Sequence, residues 1–379
     1  MYDPVRLREK YMAMEAGKSR MVGIHAAIEA ADSHGDVPYQ IYFRIKLCEE
    51  SCFYGDELDM MVIFPELLAL ADQHPDAPTT RYNRGYKNSM DNVLWIYKWI
   101  LSTCEEFYQI PLEDYLKFQE DYKKRCLAMG YSLRPYYEYV YSFYDCINDP
   151  RREEAFAMFQ NTPWDENCNC KACERNTEID FYLDQDDLER ATALAYDIEN
   201  FTLTCGAKEK KRAWLRMKKH FLRYYLRKRD FKMVAEYCGL LERNKGVNKE
   251  REFDFWSVLM ESYSYIDIGK ALKIYKDCWK ILMEERCPSD IYGHNKRAAI
   301  FFRELGKARK GEFVKLSLDA VFPGYREDGR YRIRDMYRFH YNRAKAVADK
   351  FDERNGTNAY CAGLEKVGLK ADREDEDEV

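Results

Sequence analysis

Apolar residues return every third or fourth position along most of this chain, as in Met21, Ile24, Ala27 and Ile28 or Trp214, Met217, Phe221 and Tyr224. That period places them on one face of a helix. It predicts helices over 4–17, 18–31, 38–52, 57–73, 90–104, 111–130, 133–146, 187–200, 211–227, 253–265 and 333–351, with a helical pattern holding from Pro288 to about Leu305. Asp3-Pro4 and Asp149-Pro150 each open a helix with a capping carboxylate followed by proline. Pro65 is expected to kink the helix that contains it. Only Phe313 to Leu318 alternates apolar with polar, the pattern of a short strand or extended arm, and Phe322 to Arg330 reads as a loop. Asn355-Gly356 stops the last helix, with glycine suited to a left-handed cap.

A longer period lies over the helical one. Ala155, Ala191, Ala235 and Ala271 each open an apolar helix face and stand 36, 44 and 36 residues apart. Those intervals are close to the lengths of helix-pair repeats. The expectation is an all-α, tetratricopeptide-like helical-repeat solenoid, an α-α superhelix of roughly eight helix pairs. It divides into N-terminal helical repeats (1–74), aromatic-rich helix pairs (84–160), repeats carrying a cysteine cluster (161–306), an extended arm with a capping helix (307–370) and a disordered acidic tail (371–379).

Composition agrees with long packed helices. Of the 379 residues 46% are hydrophobic and 15% aromatic, with 11 prolines and 18 glycines, which suits helices better than a turn-rich β protein. A net charge of −5 gives no global field to gather nucleic acid or an anionic membrane. Met1-Tyr-Asp-Pro-Val-Arg-Leu-Arg8 lacks the basic and apolar regions of a secretion signal, and the longest apolar run, Met60 to Phe64, is far too short to span a bilayer. The chain is expected in the cytoplasm, where most of its 13 cysteines serve as small apolar residues on helices.

Cys168, Cys170 and Cys173 crowd into six positions, and Cys205 follows one helix pair later. A Cys-x-Cys-x-x-Cys loop can fold three thiolates onto one zinc ion at about 2.3 Å each, with Cys205 as the natural fourth. Four sulfurs leave no place for water, so the site reads as structural. A redox role for Cys170 and Cys173 lacks the strand that precedes such motifs in βαβ folds. No phosphate loop, nucleophile elbow or His-Glu-x-x-His occurs, and the 6 histidines show no ligand spacing.

The runs Trp164 to Cys173, Thr177 to Tyr182 and Leu203-Thr-Cys205 resemble an uncharacterised bacterial family of tetratricopeptide-repeat proteins that carry a Cys-x-x-Cys here and a later cysteine after Leu-Thr. Leu94 to Trp99 and Phe351 to Thr357 are similar to other segments of that family. Where its members have Pro-His after the later cysteine this chain has Ala207-Lys208, and Cys168 stands where they often have a polar residue. If that histidine is the family's fourth ligand, Cys168 replaces it. The resemblance implies a helical-repeat interaction protein.

Two surfaces are candidates for a partner. The aromatic residues Trp95, Trp99, Tyr136, Tyr137, Tyr139 and Tyr141 could line a groove for a protein or peptide. The run Lys208 to Arg229 holds eleven basic residues and one acid, and Lys211, Arg212, Arg216, Lys219 and Arg223 form its basic face. Because Trp214, Met217, Phe221 and Tyr224 make a core stripe, the charges read first as a solvated face, then as a site for an acidic partner, and last for nucleic acid. The expected function is a non-catalytic protein-interaction scaffold with a structural zinc site, the alternative a peptide-sensing regulator that changes curvature on binding.

Overall fold

In the computed structural model, residues 1–55, 57–78, 80, 82, 89–206, 210–243, 253–309 and 311–371 are described. Asp56, Thr79, Ala207 to Glu209 and the acidic tail from Asp372 onward, on which several expectations fell, lie outside them. The chain divides into two compact units, Met1–Cys168 and Asn169–Val379.

The first unit is built from α1 (Pro4–Met12), α2 (Lys18–Ser33), α3 (Val37–Tyr54), α4 (Glu57–Gln73), α5 (Ser89–Glu106), α6 (Leu112–Ala128), α7 (Arg134–Cys146) and α8 (Arg152–Asn161). The second contains α9 (Lys171–Asp184), α10 (Leu188–Glu199), α11 (Lys210–Lys228), α12 (Phe231–Arg243), α13 (Phe253–Ile266), α14 (Ile268–Glu284), α15 (Pro288–Ala308), α16 (Ile333–Asn355) and α17 (Ala359–Lys366). Between α15 and α16 it carries the strands β1 (Phe313–Lys315) and β2 (Arg330–Arg332), paired antiparallel with Val314 opposite Tyr331. The fold is all-α. Among the described residues no helix is long and apolar enough to cross a membrane.

Each unit repeats one packing rule. Sequential helices pack on one another, and several odd-numbered helices also touch the next odd-numbered helix: α3 on α5 and α5 on α7 in the first unit, α9 on α11, α11 on α13 and α13 on α15 in the second. Aromatic side chains fill the space between them. Tyr97 is fully buried edge-on against Phe64 at 4.7 Å, and Tyr275 packs edge-on against Phe302 at 4.8 Å. The Trp214, Met217, Phe221 and Tyr224 stripe is buried as expected.

The corners explain why the helices stop where they do. Asn148, Asp186 and Arg229 take the left-handed conformation, at φ 53°, 65° and 56°. The residue after each then donates its N–H back five positions, Asp149 to Tyr144, Asp187 to Tyr182 and Asp230 to Tyr225, closing the helix end. Two of these aspartates immediately cap the next helix. Asp187 Oδ1 accepts from the Arg190 N–H at 3.0 Å and Asp230 Oδ1 from the Met233 N–H at 3.1 Å, and Asp267 repeats the cap with the Lys270 N–H at 3.1 Å.

This corner, rather than alanine, sets the repeat. Four residues past those caps come Ala191, Val234 and Ala271, each fully buried. Ala235 is exposed and is not the counterpart of Ala191 and Ala271. Other expectations were off at boundaries: α1 ends at Met12, Asp149-Pro150 precedes α8 by a turn, and α17 was not foreseen. α4 runs on through Pro65.

Candidate metal centre

Cys170 is the N-cap of α9, with extended backbone at φ −62° and ψ 144°, and its carbonyl accepts the N–H groups of Cys173 at 2.8 Å and Glu174 at 3.1 Å. One helical turn therefore brings the Cys170 and Cys173 sulfurs to the same end of the helix. Cys205 returns to that end because α10 runs back along α9 and the chain then turns at Phe201, whose φ of 56° lets the Thr202 N–H reach Asp197 O at 3.0 Å. The three sulfurs lie within 4.8 Å of one another and all three residues are half-buried.

Cys173 Sγ and Cys205 Sγ are 3.6 Å apart, and both cysteines are free. A disulfide would need about 2 Å. Two thiolates bound to one tetrahedral ion at about 2.3 Å each must lie about 3.8 Å apart. The Cys173 and Cys205 sulfurs thus sit close to the edge length of a thiolate–metal tetrahedron, and three converging sulfurs exceed the pair that a dithiol couple requires. The Cys173 thiol hydrogen bond, outweighing burial and aided by the N–H groups of Cys173 and Ala172, pulls Cys170 down to about 5. That same bond pushes Cys173 up, with burial adding to it, while burial leads the rise at Cys205. One sulfur is therefore ready as an anionic ligand.

Cys168 is not part of this trio. It belongs to the first unit, is 2% exposed, and its thiol donates to Asp165 Oδ1 at 3.4 Å while accepting from the Asp165 N–H at 3.3 Å.

Of the six aromatic candidates one, Tyr141, lies in the core. Trp95 is half-buried beneath the Lys98 ammonium, which lies 3.1 Å from its ring centroid, and Trp99 meets Phe53 edge-on at 5.2 Å. Tyr136, Tyr137 and Tyr139 are half-buried, whereas Tyr141 is a core residue packed against Phe156 at 5.2 Å. On α11, Lys211, Arg212, Arg216 and Arg223 are exposed and Lys219 is half-buried in an ion pair with Asp254.

Arg223 and Lys219 belong to a mixed-charge strip that sequence reasoning missed. It crosses α9, α11, α13 and α15 of the second unit. His220 Nδ1 lies 2.7 Å from Asp180 Oδ1, and Arg297 Nη1 donates to Asp254 Oδ1 at 2.6 Å while its Nε lies 3.6 Å from Glu261 Oε2. Burial alone would raise Asp254, but Arg297, Lys219 and Arg223 outweigh it and hold the carboxyl well below its usual range. Burial keeps His220 low despite Asp180, so the imidazole is neutral at pH 7 and the carboxylate carries the charge. Asp180 and Asp254 still keep 36% and 37% of their side chains accessible. Arg223 is exposed in the combined field of Asp180, Asp254, Asp184 and Glu261.

No protein-family model, curated protein or solved structure matches this chain.

Proposed function

We propose that this chain is a non-catalytic helical-repeat protein with tetratricopeptide-like packing, that it binds a protein or peptide partner, and that a zinc ion on Cys170, Cys173 and Cys205, closed by a fourth ligand beyond these three sulfurs, fastens its α9–α10 hairpin as a structural cross-link. The observation that carries the reading is the mixed-charge strip. It runs across four helices that pack in sequence, α9, α11, α13 and α15, and keeps charged groups within reach of solvent. Carboxylates and cations held in place by one another present fixed charges to a bound chain at little further ordering cost. Zinc suits the cysteine trio because it prefers soft sulfur ligands in a tetrahedral arrangement, and there it would supply a cross-link.

The test uses the whole chain as bait beside its Arg223→Glu variant, followed by calorimetry with peptides from whatever is retained. A partner held by the parent and released by the variant supports the reading, and an identical set on both baits sinks it. A short peptide that binds by itself would favour a sensor over a scaffold.

A further inference from the structure

In the second unit a cavity of about 610 Å³ opens between the end of α15, the β1–β2 hairpin and the first turn of α16. Pockets for small molecules are commonly roughly 300–1,000 Å³. Its wall carries Arg303, Arg309, Arg332, Arg334 and Lys370 against one carboxylate, Glu312. Arg303 is already committed, donating from Nε to Glu304 Oε1 at 2.8 Å and from Nη1 to Val367 O at 2.6 Å. The cations of the wall outnumber Glu312.

Several features make this excess of positive charge directional. Arg332 is the N-cap of α16 and gives it no side-chain cap; the Ile333 N–H is taken by Glu312 O at 2.8 Å. The next N–H groups of a first turn have no acceptor within their own helix, and the helix dipole adds partial positive charge there. Asp335 and the carbonyl end of α15 offset part of this field, so the arginines decide its sign. Among the described residues the Arg309 guanidinium has no hydrogen-bond or ion-pair partner. Ile333 and Tyr337 give the same cavity an apolar and aromatic side.

We propose that this cavity binds a small organic phosphate of nucleotide size, its phosphate held by Arg309, Arg332, Arg334 and the first turn of α16, and its organic part resting against Ile333 and Tyr337. Planar guanidinium groups match phosphate oxygens two at a time, and a helix N-terminus is a ready anion site. The proposal is independent of the partner-binding strip.

Titration calorimetry of the whole chain with ADP, inorganic phosphate and citrate tests it. ADP is expected to bind saturably at one site, with inorganic phosphate and citrate each weaker by about tenfold or more. The double variant R309Q/R334Q should weaken ADP by at least about tenfold with helix content unchanged. Lys370→Gln, an exposed position after α17, gives a milder loss of about threefold and guards against a folding defect in the double variant. Absence of ADP binding in the millimolar range, citrate binding as tightly as ADP, or an ADP affinity unmoved by both variants would overturn the proposal.

Discussion

The Tyr275 hydroxyl donates to His340 Nε2 across 2.9 Å, and this fixes where the imidazole keeps its proton. On the other side His340 Nδ1 lies 2.8 Å from Asn295 Oδ1, and the Asn295 amide is spent on Ile291 O at 2.7 Å, so Oδ1 must accept. His340 is thus a neutral ring with the proton on Nδ1, fully buried and stacked on Phe302 at 5.5 Å. Burial, with Arg343 adding to it, holds it down to about 3, and burial holds His294 down to about 3 as well.

A depressed histidine takes up its proton more readily when the chain is unfolded. Stability is therefore complete above the unfolded value, about 6.5, and falls as pH drops toward 3. The denaturant midpoint is expected to fall between pH 7.5 and pH 5, above the range where carboxylates titrate. His340→Gln should flatten part of that slope. A midpoint constant over this interval would contradict the neutral buried ring.

Metal analysis of protein prepared reduced and without chelator should return close to one zinc per chain, and Cys173→Ser or Cys205→Ser should lose it. Cys168→Ser should keep the metal, because that sulfur is engaged with Asp165. Loss of metal in the Cys168 variant would restore the four-cysteine site expected from spacing.

The repeat register has a direct test. Ala271 is fully buried four residues past the Asp267 cap, while Ala235 is exposed one position beyond the matching place. Ala271→Leu should cost about 1–3 kcal/mol by overpacking and Ala235→Leu no more than about 0.5 kcal/mol. Equal losses in thermal unfolding would show that the corner does not set the register.

Lys98 is 1% exposed, lies over the Trp95 ring and donates to Asn167 O at 2.9 Å. Lys98→Met should cost about 1–3 kcal/mol, since it removes a charged donor from a buried carbonyl. Trp95→Leu should also destabilise the chain rather than only weaken partner binding. A Trp95 variant of parental stability with lost binding would return this residue to the partner surface.

Helix spacing was legible wherever one face is apolar, which is why α4 was read to the residue. The repeat was half legible: Ala191 and Ala271 mark it, but Val234 fills the same place with a larger side chain, and the adjacent Ala235 mimicked the pattern. The steadier signal was a tyrosine five residues before an aspartate, as in Tyr182 and Asp187 or Tyr225 and Asp230, with the turn residue between them free to vary. Local spacing likewise revealed Cys170 and Cys173, whereas which further thiols join them depends on where α10 returns the chain. The charged strip was hidden because Asp180, Arg223, Asp254 and Arg297 come from four helices; steps such as Lys219 to Arg223 and Asp254 to Glu261 mark a shared face on one helix but not the pairing between helices.

The sulfur trio joins positions 32 residues apart, from Cys173 to Cys205, with the whole α9–α10 hairpin between them. An ion gripping both ends would turn that hairpin into a closed ring. Because the sulfurs converge only once α10 has returned along α9, the ion would favour the folded ring over the open chain, and its binding energy would become folding energy. The stability of the second unit would then depend on the free zinc concentration.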